Sequence, residues 1–285
     1  MTLVKLAVET GAVFRHYSID EGARLIKETG FDAADMSFCD DSTEVFCMED
    51  FREKAYEVKA AFEKYGLACS QAHAPYFFKY DSPQDDRDFQ YLAIKRSLEA
   101  AGIMGIDHIV LHGVRLPYPG ASRRNLDFNY GFLKGFEPLC EKYNVKISLE
   151  NLSGAFTYPD LLNAMIERLD SPWYTGLVDI GHAFCRGGLQ PGDFIRQLTP
   201  GILTGLHVQD THGIEDEHML PYMGKIDFDD LMHALCEVDY QGDFTYEACS
   251  YLTYYGKQGL LEPALRFEAA VGRKLIRDFE RIKSE

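Results

Sequence analysis

Eight short apolar runs, each followed by a stretch with helical periodicity, recur along the whole chain and narrow the folds open to it. The runs are Leu3–Val8, Ala33–Phe38, Ala68–Ala72, His108–Leu111, Lys146–Leu149, Thr175–Ile180, Leu206–Val208 and Phe244–Tyr246, each of strand length. Between them, Ala55, Val58, Phe62 and Tyr65 fall on one helical face ahead of Gly66, and Tyr91, Ile94, Leu98 and Ala101 repeat the spacing. Phe228, Leu231 and Leu235 follow Asp227 as an N-cap, and Asp20 with Gly30 brackets an earlier helix. Eight strand-then-helix units predict one (β/α)8 TIM barrel of α/β class. The 285 residues suit either one such barrel or two ordinary domains. No linker, low-complexity tract or internal repeat divides them, so residues 1–285 read as a single barrel domain. A doubly wound open sheet usually carries a glycine-rich turn after its first strand, whereas Glu9-Thr10-Gly11-Ala12-Val13 has one glycine.

In a barrel of this kind the C-terminal ends of the strands surround one mouth, where the active site is built. The chain ends its third to eighth runs on His73, His112, Glu150, Asp179, His207 and Glu247, and adds His182, Asp216 and His218 shortly after the sixth and seventh. An unpaired carboxylate after a buried strand is costly, whereas carboxylates and imidazoles converging on a divalent cation neutralise one another. These residues therefore predict a metal site. Asp216 and His218 lie in Thr211–Lys225, a long connection for a barrel and hence a functional loop over the mouth.

Composition bounds the partners. With 29 Lys and Arg against 45 Asp and Glu, the net charge is −16, which gives no general field for phosphate backbones and disfavours nucleic acid. Cys39, Cys47, Cys69, Cys140, Cys185, Cys236 and Cys249 show no CxxC spacing and suit a reducing cytoplasm. The polar opening residues do not form a signal peptide, and no run approaches membrane-spanning length, so a soluble cytoplasmic protein is expected.

The same residues resemble the xylose-isomerase-like TIM barrel superfamily, which contains sugar and sugar-phosphate isomerases and epimerases as well as the endonuclease IV type of apurinic endonuclease. The resemblance covers nearly the whole chain and rests on His73-Ala74-Pro75-Tyr76, Leu149-Glu150-Asn151, Val178-Asp179-Ile180-Gly181-His182 and Leu206-His207-Val208-Gln209-Asp210. Asp216-Glu217-His218, Gly224-Lys225-Ile226-Asp227 and Tyr246-Glu247 complete it. Resemblance to the ketose epimerases implies one divalent metal, Mn, Co, Mg or Zn, held by Glu150, Asp179, His207 and Glu247. Three oxygen donors and an imidazole suit such a cation and leave positions for two vicinal substrate oxygens. The implied reaction on a small carbohydrate or polyol-derived ketone is proton transfer through a metal-stabilised ene-diolate, with Glu150 and Glu247 as the proton carriers. His182 would bind a substrate oxygen or a second cation.

Resemblance to the apurinic endonucleases implies instead a cluster of two or three Zn, with His73, His112, His182, Asp216 and His218 as further ligands, that cleaves phosphodiesters. The acidic balance stands against this, with Arg115, Arg123 and Arg124 the notable basic group near the mouth. The superfamily resemblance is also compatible with a lyase or dehydratase on a related keto-sugar, and with a sugar-binding relative without turnover. Barrel relatives often pair, so a homo-oligomer fits the reading as well.

Plainer roles serve the remaining residues. His16, His108 and His233 read as surface or hydrogen-bonded groups and His212 as a loop residue. Tyr251, Tyr254 and Tyr255 either line a sugar pocket or pack a helix, Cys185 is a packing residue, and Lys225 and Arg186 either meet a substrate phosphate or are solvated. The plainest role for Glu150, Asp179, His207 and Glu247 is a charged network that plugs the mouth.

Overall fold

Eight parallel strands pair in chain order, and the last closes on the first. They are β1 (Leu6–Glu9), β2 (Ala33–Ser37), β3 (Ala68–His73), β4 (His108–Leu111), β5 (Lys146–Glu150), β6 (Tyr174–Asp179), β7 (Leu203–Val208) and β8 (Phe244–Tyr246). The computed structural model describes residues 4–38, 49–75, 81, 83–116, 122–152, 154 and 156–285. Leu3, Tyr76, Cys39 and Cys47 fall outside these, as does the side chain of Arg123.

The eight expected strands are present, with shifted ends. β3 and β5 run one residue further than their apolar runs and take in His73 and Glu150, while β6 stops at Asp179 because Ile180 opens a helix. β7 begins at Leu203 instead of Leu206, since Thr204 and Gly205 interrupt its apolar pattern but not the strand, whose pairing with β6 skips Thr204 and resumes at Gly205. Two register shifts, at Ala34/Asp35 against β3 and at Gly176/Leu177 against β7, adjust which side chains share the barrel interior.

Local signals set the helix ends. α1 is Gly11–Phe14, and α2 (Ile19–Thr29) starts from Ser18, not from the expected Asp20. Ser18 and Glu21 form a reciprocal capping box that satisfies two terminal N–H groups, and Gly30 closes the helix at φ 114°. Gly66 ends α3 (Phe51–Tyr65) at φ 63°, as its sequence pattern predicts. α4 (Gln84–Met104), α5 (Ser122–Lys134), α6 (Glu137–Tyr143), α7 (Pro159–Leu169), α8 (Ile180–Cys185) and α9 (Pro191–Arg196) follow. Asp227 caps α10 (Phe228–Glu237) by accepting from the N–H groups of Asp229 and Asp230, both at 3.1 Å. α11 (Cys249–Lys257) and α12 (Leu261–Ser284) complete the order. None of the helices among the described residues is long and apolar enough to cross a membrane, and the five described cysteines are free thiols.

α12 covers β1 and β8 with Leu265, Ala269, Leu275 and Phe279. Gly272 allows the close approach, because a Cβ there would lie 2.4 Å from Leu6 and 2.6 Å from Tyr246. In the same face Glu268 is fully buried, with neither carboxylate oxygen hydrogen-bonded. Burial, reinforced by Glu9, pushes its carboxyl well above the usual range, so the folded protein holds a proton that the unfolded chain releases. The stability this proton supports is complete in acid and is lost as pH rises from the ordinary glutamate range toward the raised value, by about 1.4 kcal/mol per unit. Glu268→Gln has no such proton to lose. Denaturant titrations across pH 4.5 to 7 should show its stability gaining on the parent with rising pH, whereas parallel curves would mean that Glu268 ionises normally.

Candidate metal centre at the barrel mouth

Side chains alternate along each strand, so inward positions two apart form stacked layers inside the barrel. At the mouth, His73, Glu150 and Asp179 end β3, β5 and β6, His207 is the last residue but one of β7, and Glu247 directly follows β8. Glu150 is at their centre. Its Oε2 lies 2.6 Å from His112 Nε2 and 3.4 Å from His73 Nε2, and its Oε1 lies 2.9 Å from His182 Nδ1 and 3.6 Å from His207 Nδ1. His207 Nδ1 is also 3.2 Å from Glu247 Oε2.

Asp179 is fixed by its neighbours before any ligand is considered. It caps α8 by accepting the His182 N–H at 2.7 Å. Asn151 brackets its backbone, accepting the Asp179 N–H at 2.7 Å and donating to the Asp179 carbonyl at 2.9 Å. Gln209 donates from Nε2 to both Asp179 oxygens, at 3.0 and 3.1 Å, and to Asp216 Oδ1 at 3.2 Å. Gly181 makes room for this amide, since a Cβ there would lie 2.4 Å from Gln209 Cδ.

The expected loop carries Asp216 and His218 to the same place. Asp210 and Met219 bridge its two sides, and the Asp210 carboxylate accepts from the N–H groups of Thr211, Gly224 and Ile226 at 2.8, 2.7 and 3.2 Å. Asp216 then contacts His182 Nε2 at 2.8 Å and His218 Nε2 at 3.3 Å, while His218 Nδ1 donates to the Glu247 carbonyl at 2.7 Å.

All nine expected residues thus fall into four groups, within each of which the donor atoms lie within 4.8 Å of one another: His73, His112, Glu150; His73, His207, Glu247; and Glu150, Asp179, His207, Glu247, which share members, and His182, Asp216, His218, which stands apart but meets Glu150 through His182. The donor set fits a divalent cation. Glu150 Oε1, His182 Nδ1, His207 Nδ1 and Glu247 Oε2 are buried and make no hydrogen bond. Glu150 Oε1 and His182 Nδ1 stay unbonded even at 2.9 Å because they are misaligned for donation. Lone pairs that converge without bonding each other suit a shared acceptor between them.

The electrostatics show what charge the cluster needs. Burial opposes ionisation of Glu150, yet His112, His182 and His207 hold its carboxyl well below the usual range. Burial likewise opposes a charged His207, yet Glu247, Asp35 and Glu150 hold its imidazole well above its ordinary value. Burial pushes Asp179 up to about 6 against the attraction of His182, with Glu247 and Glu150 adding to the rise. Without a cation, the proton on His207 is the positive charge that balances Glu247, Asp35 and Glu150; a bound cation can take its place and free the Nδ1 lone pair, while burial lowers the His112 imidazole instead.

Beside this cluster, Glu9, Ser37, His73, Glu247, Tyr254 and Lys257 line a mouth cavity of about 380 Å³. Tyr254 thus borders the pocket, while its ring meets that of Tyr255, which in turn meets Tyr251. A larger cavity of about 980 Å³, lined by Lys5, Asp107, Lys146 and Asp243, opens at the opposite end of the barrel, away from the ligand groups. Cys185 has its thiol pushed up to about 11 by burial and Asp216, so it is no thiolate nucleophile. His212 is a loop residue paired with Glu217 at 2.9 Å.

Sequence reasoning missed Asp35 and Gln71, and read Gln209 only as part of a motif. Asp35 in Ala33-Ala34-Asp35-Met36-Ser37 carried a usable signal, being an acid in the middle of an apolar strand.

The xylose isomerase-like TIM barrel family model matches residues 23–271. A relative of Methanocaldococcus jannaschii, an uncharacterized protein, is 28% identical over 162 residues, 54% of this chain and 55% of that protein, so the chain spans about half the length of that relative. Among solved structures, a D-tagatose 3-epimerase-like protein superposes with a TM-score of 0.76 at 20% identity, covering 98% of both chains. The IOLI protein with a binding zinc atom superposes at 0.80 with 15% identity, covering 96% of this chain and 99% of that one. The matched span takes in seven of the eight strands and every one of the nine mouth residues, and the chain belongs to the xylose isomerase-like TIM barrel family.

Proposed function

We propose that the protein is a divalent-metal-dependent isomerase or epimerase of a small carbohydrate or polyol-derived ketone. The observation that carries this reading is the convergence of Glu150, Asp179, His207 and Glu247 on one point beside a mouth cavity of about 380 Å³, ample for a single sugar. The epimerase-like and zinc-bearing structural neighbours support the same class.

When bound by those four residues, a cation supplies Lewis-acid polarisation of a carbonyl and its adjacent hydroxyl. The chain's own groups then do the rest. Glu247, which lines the cavity, and Glu150, across His207 from it, are the two carboxylates suited to removing a carbon-bound proton and returning one. His112 steadies Glu150 through its 2.6 Å contact, and Gln209 and Asn151 hold Asp179 in place. His182 and Asp216, paired at 2.8 Å, stand beside Glu150 and Asp179.

A second reading has its own observation. The groups His73, His112, Glu150 and His182, Asp216, His218 offer two further three-ligand sites around the first, a donor arrangement suited to a two- or three-zinc phosphodiester hydrolase. Elemental analysis of protein purified without chelator or added metal separates the two. About one Mn, Co, Mg or Zn per chain is expected, whereas two or three zincs per chain would favour hydrolysis.

A further inference from the structure

Beneath His207 the barrel interior holds polar side chains that the proposed reaction does not use. Asp35 is buried on β2, Gln71 on β3, and His108 stands half-covered at the start of β4. Gln71 Nε2 donates to Asp35 Oδ2 at 2.8 Å, and that same oxygen lies 3.3 Å from His207 Nε2. At the other end, Gln71 Oε1 lies 3.3 Å from His108 Nε2.

The fold makes room for this column. The register shift at Ala34/Asp35 sets Asp35 opposite Gln71, so that both point inward. Gly205 of β7 opens the space at their side: a Cβ there would lie 2.8 Å from Leu177 Cδ1, 3.1 Å from Gln71 Oε1 and 3.2 Å from His108 Nε2. A buried carboxylate whose Oδ1 has no hydrogen-bond partner is costly to keep in a barrel core.

The proton positions follow from donor and acceptor rules. A carboxylate only accepts, so His207 must donate to Asp35 from Nε2, and the Gln71 amide must turn its NH2 toward Asp35. Its carbonyl then faces His108, which must donate from Nε2. Burial depresses the His108 imidazole to about 4, so it is neutral with a single N–H to place. Each group in the chain fixes the orientation of the next.

We infer that Asp35, held by Gln71 and His108, is a positioning residue that fixes His207 in the tautomer and ring orientation leaving Nδ1 free to bind the cation. This rests on the metal reading of the mouth given above. The column orients and does not conduct. Gln71 neither takes up nor releases a proton near neutral pH, so no proton passes along it toward the cavity at the far end of the barrel. Asp35 also sets its charge against the His207 N–H, which makes Nδ1 a stronger donor.

The test uses the whole chain with zinc as the probe, measuring zinc affinity by chelator competition and the imidazole N–H signals of the zinc-loaded protein by nuclear magnetic resonance. In the parent, His207 should show a Nε2 proton protected from solvent exchange. Asp35→Ala should lose that protection and bind zinc roughly 10- to 100-fold more weakly. Asp35→Asn, which keeps an oxygen acceptor, should recover most of both. An Asp35→Ala protein that folds and binds zinc as tightly as the parent overturns the inference. Should that variant fail to fold, Gln71→Leu removes the support of Asp35 from the other side, and undiminished zinc affinity there is equally contrary. His207→Ala separates the two ideas. If it binds zinc as the parent does, the metal reading itself fails and this inference falls with it. If it loses zinc while Asp35→Ala does not, only the positioning role is wrong.

Discussion

Replacing Glu150 or Glu247 by glutamine is expected to abolish solvent hydrogen exchange into the substrate. An amide keeps the shape and one donor oxygen but cannot carry a proton, and general acid and base groups contribute roughly 100- to 10,000-fold each. Both variants should therefore fall at least about 100-fold in a deuterium-incorporation assay, with metal content measured on the same samples to separate lost chemistry from lost cation. The two positions are not equivalent. Glu150 is surrounded by His73, His112, His182 and His207 and is 1% exposed, while Glu247 lines the mouth cavity. Glu150→Gln should therefore also disturb the histidines around it, whereas Glu247→Gln should leave their arrangement nearer to that of the parent. Exchange retained in both variants would refute the assignment of these carboxylates as proton carriers.

His207→Ala is expected to lose the metal. His207 contributes the single nitrogen of the four-residue group, and its Nδ1 lies between Glu150 and Glu247, 3.6 and 3.2 Å from their oxygens. Without it, Glu150, Asp179 and Glu247 face one another with less positive charge between them. Breaking a buried charge pair from one side costs about 3 to 5 kcal/mol, so the metal-free variant should also melt earlier than the metal-free parent. Metal content per chain and a thermal melt of the chelator-treated proteins check both parts. Unchanged content in His207→Ala would show that the coordinating group has been drawn wrongly.

The barrel is legible in the sequence because its strands and helices differ in hydrophobic period, and β4 and β8 begin and end where their apolar runs do. β7 reads short because Thr204 and Gly205 look like a break, although Gly205 has the structural task of admitting Gln71 and His108. The start of α2 misleads for a related reason: Asp20 is a plausible cap by type, but the reciprocal Ser18 and Glu21 bonds place the start earlier. At the mouth, the strand-end rule brings six of the nine residues together and the segments after β6 and β7 supply His182, Asp216 and His218, so the sequence order suffices for the whole set. It cannot reveal Asp35 and Gln71, whose pairing depends on a register shift between β2 and β3. Nor can it give Gln209 its part in joining Asp179 to Asp216, which requires the fold of the loop after β7 and the absence of a side chain at Gly181.

Solvent deuterium incorporation into a panel of ketoses, by protein reconstituted in turn with manganese, cobalt, magnesium and zinc, tests the central claim most directly. Metal-dependent labelling at a carbon next to the carbonyl of at least one ketose, lost on chelation, is the predicted result. A metal-loaded protein that labels no ketose yet cuts duplex DNA at an abasic site would contradict it.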